Sequence, residues 1–332
     1  MNKRRLGKTN FQVSEIGLGT CFMSGQGQDN VNSCTAWAID HDINYFDTAA
    51  DYGKGNDEKM LGEALKGRRN QVFIATKVGC VDEPGGHRSV ACLMRQFEDG
   101  LARLQVDHVD LIQLHEADQR KWWSDDDVSV EIAADHCGPL IRDDEEYIFL
   151  DAPCVEFLRQ AKASGKARYI GITGKDARRL ARIVNIINID TMMMAHQYNP
   201  IYHNAAEYLL PVTEQQNIGI VNGASFMKGW LATPQTQWQN TRPTWMDDKF
   251  YNAYFAYLDI QKESGLPLAE LTLRWQLSEK RQHSVVLGFN QISDIQQNVT
   301  SAEKGFLPAD LQAAINAIGI IHPLIYQGRH EI

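Results

Sequence analysis

The chain has 332 residues, 43% of them hydrophobic and 23% charged, with a formal net charge of −9 at pH 7. Such a balance buries a sizeable core, and its acidic excess disfavours nucleic acid or an anionic membrane, both of which select basic patches. No apolar run approaches the roughly 18 residues that cross a bilayer. The basic start MNKRR has no apolar segment behind it of the kind a signal peptide needs. The six cysteines lack metal-ligand spacing, so a cytoplasmic protein with reduced thiols and no bound metal is expected.

In chain order, RRLGKTNFQVS reads as a hairpin turning around KTN. Short apolar runs then recur: EIGLG (15–19), INYFD (43–47), VFIATK (72–77), VDLIQLH (109–115), ARYIGIT (167–173), TMMMAHQY (191–198), IGIVNG (218–223) and HSVVLGF (283–289). Stretches of helical period separate them, among them Asp57–Lys66, with Met60, Leu61 and Leu65 on one face, and Ala91–Leu104. Alternating strand and helix imply parallel pairing with right-handed crossovers, and near-continuous apolar strands suit a sheet covered on both sides. The pattern predicts one α/β domain over residues 1–332, a (β/α)8 TIM barrel whose end is capped by the hairpin.

Two stretches interrupt the spacing, 116–150 and 230–248, and both follow strand C-termini, where barrels of this kind carry their sites. The first holds Trp122, Trp123 and the acidic runs Asp125–Asp127 and Asp143–Glu146; the second holds Trp238 and Trp245. Long loops there act as lids or binding loops, while a solvated acidic insertion is the plainer alternative. The loop from Cys80 to His87 also follows a strand.

Asp47 ends the second barrel strand, Lys77 the third and His115 the fourth, with Tyr52 just past the second. Each has an ordinary reading alone: a helix cap, a solvated amine, a structural imidazole. Together on one rim they form a set suited to proton transfer coupled to hydride transfer. A free phenol has a pKa of about 10; an adjacent ammonium favours the phenolate, and a carboxylate holds that ammonium charged and oriented. The imidazole then positions a substrate oxygen against the phenol. Hydride requires a cofactor, since no side chain carries one.

These stretches resemble the aldo-keto reductase family over nearly the whole chain. FDTAADYGKGNDEKMLGEAL follows the family's FDTA-x-x-Y-G-x-x-E-x-x-L-G-x-A-L pattern, FIATKVG and DLIQLH its Lys and His strand ends, and SGKARYIGITG its G-K-x-R-x-I-G segment. The resemblance implies a catalytic tetrad of Asp47, Tyr52, Lys77 and His115, with NAD(P) lying across the barrel mouth without a Gly-rich Rossmann loop. Cofactor contacts would come from Gly19, Thr20, Asp47, Thr173, Gln197, Ser225, Phe226, Met227, Gly229, Gly288, Asn290, Asp294, Gln297 and Asn298. A small-molecule substrate would meet Tyr52, His115, Trp122 and Trp123.

The family's usual Ser-Asn pair after the fifth strand is here Thr173 and Gly174, its strand-six Gln is Ala195 (with His196 or Gln197 as substitutes), and Gly223–Met227 lacks the ring that stacks on nicotinamide. IGITG followed by N-x-A-S-F resembles the branch of L-galactose dehydrogenase and the aldose 1-dehydrogenases, which implies oxidation of a sugar at its anomeric carbon. In the adenosine segment VVLGFNQISDIQQNV, the positions of the Lys and Arg that hold a 2′-phosphate in NADP-specific members are Gly288 and Asp294. No basic residue lies between 284 and 303. NAD is therefore expected over NADP, although an acid at Asp294 also suits a helix N-terminus. The loop tryptophans fit sugar stacking, loop packing or an oligomer contact. An NADPH-dependent carbonyl reductase and a non-catalytic cofactor-binding barrel are the alternatives.

Overall fold

The computed structural model describes residues 1–21, 23–79, 85–124 and 139–322. Strands β1 (Lys3–Arg5) and β2 (Gln12–Ser14) pair antiparallel as the expected hairpin. Eight further strands follow, β3 (Ile16–Gly19), β4 (Tyr45–Asp47), β5 (Phe73–Val78), β6 (Val109–Leu114), β7 (Ala167–Gly174), β8 (Thr191–Ala195), β9 (Gly219–Gly223) and β10 (Ser284–Leu287). They close into one barrel, every neighbour parallel, with β10 joined to β3. All eight coincide with the apolar runs of the sequence. The physical cause is visible in β5 and β6, where every residue is buried because side chains face either the barrel interior or the helices outside.

The interior is packed by Tyr45, Phe73, Ala75, Leu111, Met193, Val221 and Val286, and the hairpin adds Leu6 and Val13. At Gly7 the hairpin backbone passes so close to Gly219 that a Cβ would lie 2.2 Å from its amide nitrogen. This pins the hairpin against the N-terminal end of β9 and leaves the opposite rim open.

Helices α1 (Gln28–Asp40), α2 (Asn56–Ala64), α3 (Val90–Leu104), α4 (Pro153–Ala163) and α5 (Ala177–Val184) follow successive strands. Then come α6 (Leu210–Gln215), α7 (Asp248–Ser264), α8 (Leu268–Leu277), α9 (Ile292–Glu303) and α10 (Ala309–Ile318). Local chemistry starts them: Ser89 accepts from Cys92 N ahead of α3, Asp176 from Arg179 N ahead of α5, and Asp247 from Phe250 N ahead of α7. None of the described helices is long and apolar enough to cross a membrane, and none of the described cysteines is in a disulfide.

The loop tryptophans correct one expectation. Trp122 and Trp123 are 1% and 0% exposed and belong to the core between barrel and helices. Their indole N–H groups donate to the backbone oxygens of His115 and Glu116 (Trp122, both 3.2 Å) and of Ala117 (Trp123, 2.5 Å). Trp122 fills the space a side chain at Gly79 would need. They anchor the insertion and offer no ring to a substrate at the mouth. Trp238 is also buried, packing edge-on to Trp230 at 5.1 Å while Trp230 and Trp245 stack at 4.9 Å. The second long loop is thus held by its own aromatic cluster. Asp143 and Asp144 pair with Arg178 and Arg142, and Glu145 with Arg120. Asp125–Asp127, and Cys80 to Pro84 of the other rim loop, lie outside the described residues.

Candidate active site

The C-terminal rim collects the polar residues that the strands deliver. β4 ends at Asp47 and β5 presents Lys77 two residues beyond Ala75, the partner of Asp47 in the parallel register. Lys77 Nζ donates to Asp47 Oδ1, to Thr48 O at 2.8 Å and to Tyr52 Oη at 3.3 Å, with its charge 4.7 Å from the centre of the Tyr52 ring. Both members of the ion pair are nearly dry, their side chains 1% and 4% exposed. Burial pushes the Asp47 carboxyl above its usual range, and Lys77, then His115 and Gln113, pull it back. Tyr52 sits in a tight turn in which Gly53 and Lys54 take left-handed backbone, φ 56° and 55°. It meets His115 edge to face, ring centres 5.7 Å apart. The four side chains expected from strand ends are therefore one contiguous group.

Around them the backbone is unusual. Glu116, His196, Ala224, Met227 and Lys228 have φ between 48° and 64° although none is glycine. All lie just beyond the ends of β6, β8 and β9. Left-handed non-glycine residues at one rim are a mark of built sites.

The remaining expected contacts divide. Thr173 Oγ1 accepts from Glu116 N at 3.0 Å. Ser225 is 1% exposed, and its hydroxyl has no hydrogen-bond partner among the described residues. Gly229 and Gly288 have open space where a side chain would stand. Phe226 is half-buried and Met227 buried, both packed on the outer core, and Gly19 closes β3. Thr20 is fully buried and its hydroxyl is spent on Thr48 at 2.8 Å. Gln197 is divided: its side-chain oxygen accepts from Ala177 N and Asn204 Nδ2, tying down the start of α5, while its buried Nε2 has no hydrogen-bond partner among the described residues. Asp294 Oδ2 accepts from Asn290 N at 2.8 Å and Gln291 N at 3.1 Å, so it caps α9. Gln297 and Asn298 lie on the next turn of that helix.

Four further residues join the site: sequence reasoning missed Asp118, Glu116 and Asp51, and named His196 only as a substitute for the strand-six Gln. Asp118 lies where a side chain at position 174 would go, its Cγ 2.9 Å from a Cβ built on Gly174. It accepts from the amides of Lys175 and Asp176, both at 2.7 Å. Burial and the neighbouring Glu116 push its pKa to about 7. Glu116 pays a burial penalty but is held below its usual range by Lys175 and His115. His196 is driven to about 3 by burial, with Lys175 and Lys228 adding to the effect, and so stays neutral. Asp51, the fourth, sits with His115. Apart from the run H-E-A-D at a strand end, nothing in the sequence marks this group.

A family profile described as the aldo/keto reductase family matches residues 15–320. The chain belongs to that family. As an aldo-keto reductase it is an oxidoreductase, and the family works with NAD(P) and small-molecule substrates. It is similar to the uncharacterized oxidoreductase YqkF of Bacillus subtilis, 27% identical over 313 residues, covering 91% of each chain. It is similar also to L-galactose dehydrogenase of Arabidopsis thaliana, 26% identical over 333 residues, covering 97% of this chain and 94% of the relative. Among solved structures, aldo-keto reductase AKR11C1 from Bacillus halodurans in its holo form superimposes with a TM-score of 0.74. Its identity is 26%, over 98% of this chain and 99% of that one.

Proposed function

We propose that this aldo-keto reductase is an NAD-linked dehydrogenase of sugars, withdrawing hydrogen from the anomeric carbon, and that Asp47, Tyr52, Lys77 and His115 do the proton chemistry. The observation that carries the reading is Lys77 Nζ shared between a buried carboxylate and the Tyr52 hydroxyl.

The residues present fit a dinucleotide. Ser225 Oγ is a buried hydroxyl awaiting a partner, and the open faces of Gly229 and Gly288 let a ligand approach the backbone. Ser225, Gly229, Gly288 and Asn290 would hold it, with Thr173 facing the nicotinamide end. A nicotinamide held there would supply the hydride acceptor for oxidation and the hydride donor for reduction.

The chain's own part is the proton. In oxidation Tyr52, as phenolate, takes the proton from the substrate hydroxyl as the carbon–hydrogen bond breaks; in reduction the phenol gives it back to the oxygen. Lys77 stabilises the phenolate by its charge, and Asp47 keeps that charge aimed. His115 orients the substrate oxygen. Asp294 and the absence of a cation from 284 to 303 support NAD over NADP, and the likeness to L-galactose dehydrogenase supports a sugar.

The test is titration with NADH and NADPH by tryptophan fluorescence at fixed salt, then a screen of aldoses and small aldehydes in both directions. Tight NADH binding with sugar oxidation is expected. Preference for NADPH with aldehyde reduction would move the chain to the carbonyl reductases, and binding of neither would make it a non-catalytic barrel.

A further inference from the structure

The residue before Tyr52 is an acid that the four-residue scheme leaves without a task. Asp51 starts the turn Tyr52–Gly55, the position from which an aspartate side chain commonly caps, yet its carboxylate makes no capping bond there. Instead Oδ1 lies 3.3 Å from Nδ1 of His115, at ion-pair distance. The two side chains are 4% and 10% exposed, so the contact is not a screened surface pair.

Among the described residues, few other contacts restrain the His115 ring. Its amide donates to Val78 O at 2.9 Å and its carbonyl accepts from Trp122, which fixes the backbone but leaves the ring torsions open. The imidazole also makes a T-shaped contact with the ring of Tyr52. An imidazole that must direct one nitrogen at a substrate oxygen needs its other nitrogen held, since that bond sets both tautomer and orientation.

We infer that Asp51 is a positioning residue for this reductase: by accepting the Nδ1 proton of His115 it fixes the ring so that Nε2 addresses the substrate oxygen. The inference rests on the proposed role of His115 and extends it by one residue. Asp47 and Glu116 also act on His115 electrostatically. However, Lys77 occupies the first, and Lys175, with Gln119, the second. Among the described residues, Asp51 is the carboxylate within ion-pair reach of the ring nitrogen.

The experiment compares wild type, Asp51→Asn, Asp51→Glu, His115→Ala and the double variant Asp51→Asn/His115→Ala, with Tyr52→Phe as a control. Turnover is followed with NADH and a small aldehyde or with NAD and an aldose, whichever the wild type uses. Asp51→Asn is expected to lower kcat by about 10- to 100-fold, the loss of a charge-assisted hydrogen bond, with KM and NADH affinity within about twofold. In the His115→Ala background the same substitution should change kcat less than about twofold, because the group it acts through is gone. Asp51→Glu should recover part of the rate. Side-chain nitrogen NMR of His115 needs no turnover: the wild type should show a proton on Nδ1, and Asp51→Asn should change that signal.

An Nδ1 without a proton, or equal losses from Asp51→Asn with and without His115, would overturn the inference. Should Tyr52→Phe turn over normally, the failure belongs to the proposed chemistry instead. A dead Tyr52→Phe beside a fully active Asp51→Asn refutes the role of Asp51 alone.

Discussion

Replacing Lys77 by Met tests the centre of the argument, because two consequences with different signatures are expected. The first concerns rate. A unit charge 3.3 Å from the Tyr52 oxygen is worth about 5 kcal/mol to a phenolate at an effective dielectric of about 20. Asp47, bonded to the same ammonium, offsets part of this, so a net loss of about 2–3 kcal/mol is expected. That corresponds to a fall in hydride-transfer rate of roughly 30- to 200-fold.

The second consequence concerns stability. Without Lys77 the buried Asp47 carboxylate is uncompensated, at a cost of about 3–5 kcal/mol, unless it binds a proton, which burial already favours. A carboxyl whose folded pKa is raised holds its proton more tightly folded than unfolded. Its stabilising contribution is complete at low pH and is lost as pH rises through the folded value. The melting deficit of Lys77→Met should therefore grow as pH rises above the ordinary carboxyl range. Adding Asp47→Asn should restore the melt without restoring the rate. Stopped-flow loss of NADH absorbance reads the first effect and calorimetry across pH the second. Turnover of Lys77→Met within about threefold of wild type would refute the assignment of Lys77 to the phenol, whatever the melt shows.

Three further outcomes are expected. Tyr52→Phe should lose about 10²–10⁴-fold in turnover while binding NADH normally, read by single-turnover kinetics beside fluorescence titration. Asp294→Asn keeps an oxygen for the amides of Asn290 and Gln291 but removes the charge. NADPH affinity should rise about fivefold at low salt, equivalent to about 1 kcal/mol, with NADH unchanged and the gain shrinking as salt is added. Asp118, with a folded pKa of about 7, makes the chain lose stability as pH rises from its unfolded range through neutrality. Asp118→Asn should therefore melt above wild type at about pH 8, by less at about pH 5, and not at about pH 3, below the unfolded carboxyl range; a pH-independent difference would contradict the buried charge.

The barrel was legible because its signal is local and repeated. Each strand is a short apolar run with a helix of matching length after it, and no tertiary contact is needed to see the order. Asp47, Lys77 and His115 were legible for the same reason: parallel strands in register place their C-terminal residues on one rim, so sequence position stands in for spatial position. The tryptophans show the limit. Burial of Trp122 depends on Gly79 leaving space for its ring, a relation between residues in segments that follow two different strands, which no periodicity reports. The bonds of Gln197 were equally hidden, since its oxygen accepts from Asn204 and from the start of α5.

The sequence by itself determined the order of elements, the rim on which the chemistry gathers, and the residue types available there, since these follow from the spacing of apolar and polar positions along one chain. Only the tertiary structure decided which polar groups meet. Asp118 stands in the space left by Gly174, Glu116 takes Lys175, and Asp51 reaches His115. Such pairings depend on side-chain packing across loops that leave the barrel in left-handed turns at Glu116, His196 and Ala224. Over those short distances burial and charge act far more strongly than anything set by distance along the chain.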